Sequence, residues 1–189
     1  MAGFCQCTNK SLSPRTLASS ARRTDANRLT TFKKLITQEL DTRDYFESCN
    51  DRGLYYCAGA PQRIQRLFIN ETEALSEVKL AQDHELVMEG IRLPHSFVEA
   101  SFQTIGALLY TEDEETFMPY RIGQVDVFSE LGALGWVHVT IQDRWEEKET
   151  HIRVNAEWLN EDGLTAVKIS GMRLIAKKTP TVGVLEQLR

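Results

Sequence analysis

No apolar run in this chain approaches the roughly 18 residues that a membrane-crossing helix requires, which excludes a helical membrane protein. Cysteine is scarce. Cys5, Cys7, Cys49 and Cys57 are the four thiols, and Cys5-x-Cys7 has no second pair at metal-ligand spacing, so no metal site is expected. With no secretory pattern at the start, the same scarcity fits a reducing cytoplasm better than a disulfide scaffold. There is no repeat of fixed period and no low-complexity tract, which removes solenoids and disordered arrays from consideration.

What is present is the composition of one soluble globular domain: 189 residues, 42% hydrophobic and 26% charged. The net charge of -5 is unevenly spread. Residues 1–35 hold seven basic side chains (Lys10, Arg15, Arg22, Arg23, Arg28, Lys33, Lys34) against one acid, Asp25, which leaves -11 on the remainder. An acidic body argues against nucleic acid as a partner, because phosphate binding needs a basic face on the folded part. The basic head reads as an inter-domain linker, a disordered tail or a transit peptide; linker or tail is favoured, because no cleavage site is legible. This divides the chain into a basic linker or tail over 1–41, a folded body over 42–177 and a tail over 178–189.

Within the body the apolar period changes. Tyr45, Phe46 and Cys49 share one face of a short helix over Thr42–Asp51, closed near Gly53. A strand is expected over Arg63–Asn70, with a return arm from Ala74 to Leu80 across the turn at residues 70–73. Phe97, Val98, Phe102, Ile105, Leu108 and Leu109 recur at three- and four-residue steps, which predicts a long helix from about His95 to Tyr110. After it comes period two. Val125–Phe128 reads as a short strand, Trp136–Arg144 as a half-buried one, and His151–Leu159 places Ile152, Val154, Ala156 and Trp158 on one face. The turn Asn160-Glu161-Asp162-Gly163 returns the chain through Thr165 to Ala176. The expectation is an α+β domain in which an antiparallel sheet, built from 62–80 and 123–176, wraps one long helix.

Glu99 is the side chain most open to chemistry. It sits at the edge of the apolar helix face, where desolvation favours a neutral carboxyl, the form a general acid needs at neutral pH. The competing reading is an ordinary solvated glutamate at a helix edge. The stretch His95-Ser96-Phe97-Val98-Glu99-Ala100-Ser101-Phe102-Gln103 resembles the second half of the dehydratase domain of modular polyketide synthases and animal-type fatty acid synthases, whose pattern is His-Pro-x-x-Leu-Asp-x-x-x-Gln. Aligned with Glu99 on the catalytic Asp, Val98 falls on the Leu and Gln103 on the Gln; His95 corresponds to the family's His but stands one residue nearer the carboxyl, and Ser96 replaces the Pro. Three more segments resemble that family in its own order: residues 53–80, Met118–Val125 and Asn160–Leu174. The resemblance covers roughly 44–176 and implies a hotdog fold, independently of the periodicity.

It also implies a chemistry. In the family a His on the first hotdog removes the alpha proton of a 3-hydroxyacyl thioester borne on an acyl carrier protein, and the Asp of the second hotdog protonates the departing hydroxyl. The first-hotdog motif, His-x-x-x-Gly-x-x-x-x-Pro, is absent here: four residues after His84 stands Met88 in place of Gly, and His138 and His151 lie in strand patterns. Two further departures are the Glu in place of Asp, a shift of about 1 Å that can cost about a hundredfold in rate, and the turn Tyr56–Pro61, which lacks the family's Phe. The expected site is therefore Glu99 as catalytic acid, with His95, Gln103 and Tyr120 binding substrate. Gln103 lies one turn past Glu99 and is placed to bond its carboxyl. His95 also reads as a capping or packing residue, and Tyr120 as a packed strand aromatic. No cofactor is expected beyond the carrier's phosphopantetheine arm. The expected partners are an acyl carrier protein and a second hotdog, either another copy or a different domain supplying the His, in the cytoplasm and without membrane or nucleic acid. A non-catalytic hotdog that binds acyl chains or serves assembly is the alternative.

Overall fold

The computed structural model describes residues 28–51, 63–79, 85–88, 91–110, 115–146 and 150–178. In chain order the elements are α1 (Arg28–Leu35), β1 (Gln38–Leu40), α2 (Thr42–Asp51), β2 (Ile64–Ile69), β3 (Glu73–Lys79), β4 (Glu85–Met88), β5 (Ile91–Pro94) and α3 (His95–Leu108). β6 (Glu115–Arg121), β7 (Gln124–Val127), β8 (Leu134–Glu146), β9 (Thr150–Asn160) and β10 (Thr165–Lys178) follow. Eight strands form one antiparallel sheet in the order β1-β2-β3-β8-β9-β10-β6, with β7 also paired to β10. β4 and β5 make a separate hairpin leading into α3; no sequence expectation covered it.

Local chemistry sets the turns. Asp41 caps α2, its Oδ1 accepting from the backbone N–H of Arg43 at 2.8 Å and of Asp44 at 3.2 Å. Asn70 Oδ1 accepts from Thr72 and Glu73 in the β2–β3 turn. Asn160 Oδ1 does the same for Asp162 and Leu164 between β9 and β10, where Gly163 takes a φ of +78°, a left-handed conformation that glycine adopts without steric penalty. The expected helix face Tyr45, Phe46, Cys49 is the buried face of α2. The inward face of β9 is the expected one: Ile152, Val154, Ala156 and Trp158 are at most 1% exposed. α3 crosses β3, β8 and β2, burying Ala100, Ser101, Thr104, Ile105 and Ala107, while Val98, Phe102 and Leu108 are only partly buried.

Two expectations change. Residues 28–40, assigned to the linker, are built into the fold: β1 extends the sheet, and α1 with Ile36 covers the sheet face opposite α3. Ile36, Leu75, Trp136 and Leu159 form a second buried cluster there, joined by Leu29, Phe32 and Phe68. The basic charge of α1 concealed this, because its two anchoring residues, Leu29 and Phe32, are spaced among exposed Thr and Lys side chains. The same covering corrects β8. Its alternation predicts one buried face, yet Trp136, Val137, His138 and Val139 are all buried, since α3 lies on one side and α1 on the other. The expected helix closure at Gly53 lies outside the described residues.

Candidate active site

α3 is positioned by buried hydroxyl groups as well as by apolar contact. Thr104 Oγ1 donates to the Ala100 carbonyl at 2.7 Å, and Ser76 of β3 lies 2.6 Å from Thr104 Oγ1. Because the single Thr104 hydrogen is used within the helix, Ser76 is the donor of the second bond. Both residues are fully buried. From the other side Tyr45 of α2 donates its hydroxyl to the Gln103 carbonyl at 2.9 Å. The small side chains Ala100, Ser101 and Ala107 let the helix lie close to the sheet, and these bonds fix its height and rotation.

Glu99 and Gln103 are brought together. Gln103 Nε2 lies 3.4 Å from Glu99 Oε1, one turn along α3, as the i,i+4 spacing predicts. Glu99 is half-buried, while Gln103 is only 5% exposed. Gln103 Oε1 is buried and accepts no hydrogen bond among the described residues, leaving an acceptor beside the carboxyl. His95 opens α3, but its side chain, like that of Phe97, lies outside the described residues, as do His84 and the turn Tyr56–Pro61.

Tyr120 does not join this pair. It lies on β6, at the far end of the sheet order from β2 and β3, is 50% exposed, and pairs with His151, its hydroxyl 3.3 Å from Nδ1. The two histidines with described side chains also point away from Glu99. His138 is in register with Leu75 and Glu157 on the α1 face of the sheet, where it stacks on Phe32 at 3.8 Å. Its Nε2 lies 3.4 Å from Glu73 Oε1. Burial holds its pKa below the usual histidine value, assisted by Arg28 and opposed by Glu73 and Glu157. His151 follows the same parity on β9, opposite the buried Ile152 and Val154. Sequence reading had no signal for His138 as a buried group, since the element that covers it was read as a linker. Among the described residues no three His, Cys, Asp or Glu side chains gather as a metal group would require.

The arrangement offers one carboxyl, held by an amide, on a helix embraced by an antiparallel sheet. It can donate or accept a proton at that carboxyl, and no described imidazole stands on the same side of the sheet. Residues 25–178 match the family model described as "Polyketide synthase dehydratase N-terminal domain". Over 112 residues the chain is 27% identical to "Polyketide synthase PksN" of Bacillus subtilis (strain 168), covering 59% of this chain and 2% of that protein. Its fold is similar to the dehydratase domain from the CurJ module of curacin polyketide synthase, with a TM-score of 0.66 and 17% identity over 79% of this chain and 53% of that one. It is also similar to the dehydratase domain of RzxB from Pseudomonas fluorescens, with a TM-score of 0.58 and 21% identity over 72% of this chain and 49% of that one. The chain thus spans about half the length of the solved dehydratases that it resembles.

Proposed function

The chain belongs to the polyketide synthase dehydratase family, and on that premise we propose that it is the second hotdog of a two-part site that dehydrates a 3-hydroxyacyl thioester on an acyl carrier protein. The matching family model carries the name of the N-terminal domain; the assignment to the second half rests on the Val98-Glu99-x-x-x-Gln103 pattern. Glu99 gives its carboxyl proton to the leaving hydroxyl as the C–O bond breaks. An imidazole of a partner hotdog takes the alpha proton, and water departs as the double bond forms. Gln103 holds the carboxyl through Nε2, and its free Oε1 accepts from the substrate hydroxyl or the carboxylic acid. The observation that carries this reading is the Glu99–Gln103 pair at 3.4 Å beside a buried, unfilled acceptor.

The partner supplies what this half lacks. Exposed Val125, Val127 and Phe128 on and beside the edge strand β7 favour association there, with another hotdog, because an apolar edge is otherwise open to uncontrolled pairing. No cofactor enters apart from the carrier's arm, and the complex works in the cytoplasm. The alternative, a non-catalytic acyl-binding or assembly hotdog, is favoured by one observation: His138 and His151 both face away from α3. Glu99→Gln decides between the two readings. In a complex with a His-bearing hotdog that turns over a 3-hydroxyacyl carrier protein, this variant is expected to lose activity by about 10²- to 10⁴-fold, whereas a binding module would leave the complex unaffected.

A further inference from the structure

Strand register lines up three arginines on the α1 face of the sheet. Arg121 of β6 stands opposite Arg173 of β10, and Arg173 opposite Arg153 of β9. Residues directly opposite on antiparallel strands are about 5 Å apart, and like charges placed so repel. One end of the row is neutralised, where Arg153 pairs with Asp143, its register partner on β8. Among the described residues Arg121 and Arg173 make no ion pair; Arg173 instead lies over the Trp145 ring, 6.0 Å from its centroid. Trp145 in turn stacks on His151 at 5.2 Å and 9°, and the half-exposed Tyr120 meets His151 edge-on at 5.8 Å. Among the described residues, two guanidinium groups without an ion pair and a run of aromatic rings thus share this end of the face.

We propose that this is a binding site for a phosphate ester. Arg121 and Arg173 take the phosphate, and Tyr120, His151 and Trp145 take the organic part of the ester. A carboxylate offers one planar edge, which a single guanidinium fork matches. A tetrahedral phosphate presents oxygens to two forks arriving from neighbouring strands, and the anion converts the repulsion in the row into attraction. The aromatic wall favours an ester over the free ion, since inorganic phosphate leaves those rings unused. This inference does not rest on the dehydratase reading, and its test reads binding alone.

Calorimetric titration of the full chain with coenzyme A, and separately with inorganic phosphate, tests it. Coenzyme A is expected to saturate and to bind at least about tenfold more tightly than phosphate, with Arg121→Gln and Arg173→Gln each weakening it by about tenfold. Trp145→Ala is expected to weaken coenzyme A and leave phosphate unchanged. Arg66→Gln, which removes the same charge where Arg66 pairs with Glu39, is expected to change neither. In the ligand-free protein Arg121→Gln is expected to raise the urea midpoint, because it relieves the row. Competition separates two sources of the ester: displacement by a carrier protein bearing its phosphopantetheine arm but not by the armless form assigns a tethered ester, and displacement by neither assigns a free one. Absence of saturation, an equal loss in Arg66→Gln, or a lowered urea midpoint in Arg121→Gln overturns the proposal.

Discussion

The buried hydroxyl pair under α3 makes an asymmetric prediction. Thr104 donates to the Ala100 carbonyl and accepts from Ser76, and both side chains are fully buried. Thr104→Val keeps the shape of the side chain and leaves the Ser76 hydroxyl hydrogen stranded, which costs about 1–3 kcal/mol as an unsatisfied buried donor. Ser76→Ala removes that donor, and Thr104 keeps its own bond to the helix, so the loss is about 1 kcal/mol. The double substitution removes the stranded group altogether and is expected to be no less stable than Thr104→Val alone, giving a coupling of about 1 kcal/mol in the cycle. Urea unfolding of the four proteins measures this, with melting temperatures expected to fall by about 2–4 °C per kcal/mol. Equal single losses that simply add would refute both the assigned donor direction and the role of the pair in seating α3.

The remaining expectations concern α1, the core and acid. Ile36→Ala is expected to destabilise by about 2–5 kcal/mol, because Ile36 is 0% exposed within the second cluster; a change below about 0.5 kcal/mol in urea unfolding is what a linker residue gives. Gly163→Ala is expected to destabilise by about 1 kcal/mol or more in thermal unfolding, since a Cβ at φ +78° would lie 2.9 Å from Leu29 Cβ. The folded-state pKa of His138 is depressed, so the unfolded chain binds its proton first, at about 6.5. The stability it contributes is present above that pH and is lost as pH falls from there toward the folded value. His138→Phe is expected to flatten that part of the profile between pH 7.5 and 5.5, and an unchanged slope would refute the assignment.

The strands were legible where one face alone is buried. His151–Leu159 alternates cleanly because its other face carries His151, Arg153, Asn155 and Glu157, and Tyr45, Phe46 and Cys49 marked the buried face of α2 because its remaining residues are polar. Legibility failed where a second layer intervened. α1 has only Leu29 and Phe32 as apolar anchors among cations and threonines, and its third apolar residue, Leu35, is exposed, so neither the helix nor the two-sided burial of Trp136–Val139 was written in a local period. Glu99 and Gln103 were foreseen as a pair by their spacing, whereas the unfilled buried acceptor of Gln103 depends on what surrounds α3. Tyr120 was placed near substrate by resemblance, but pairing of β6 with the far edge of β10 sets it beside His151 instead. The arginine row required cross-strand register, which single-chain patterning does not carry.

On the function proposed above, this chain holds one half of an elimination site. The most direct test is to incubate the full chain with a 3-hydroxyacyl carrier protein, alone and mixed with a hotdog that carries the family's His motif, and to follow loss of one water by mass. No useful turnover is expected from the chain alone, because the acid without the base forgoes about 10²- to 10⁴-fold. Turnover is expected to appear on mixing and to be lost again in Glu99→Gln, which keeps the shape of the side chain but has no carboxylic proton to give. Robust turnover by the lone chain, or full activity of the mixture with Glu99→Gln, would contradict that function.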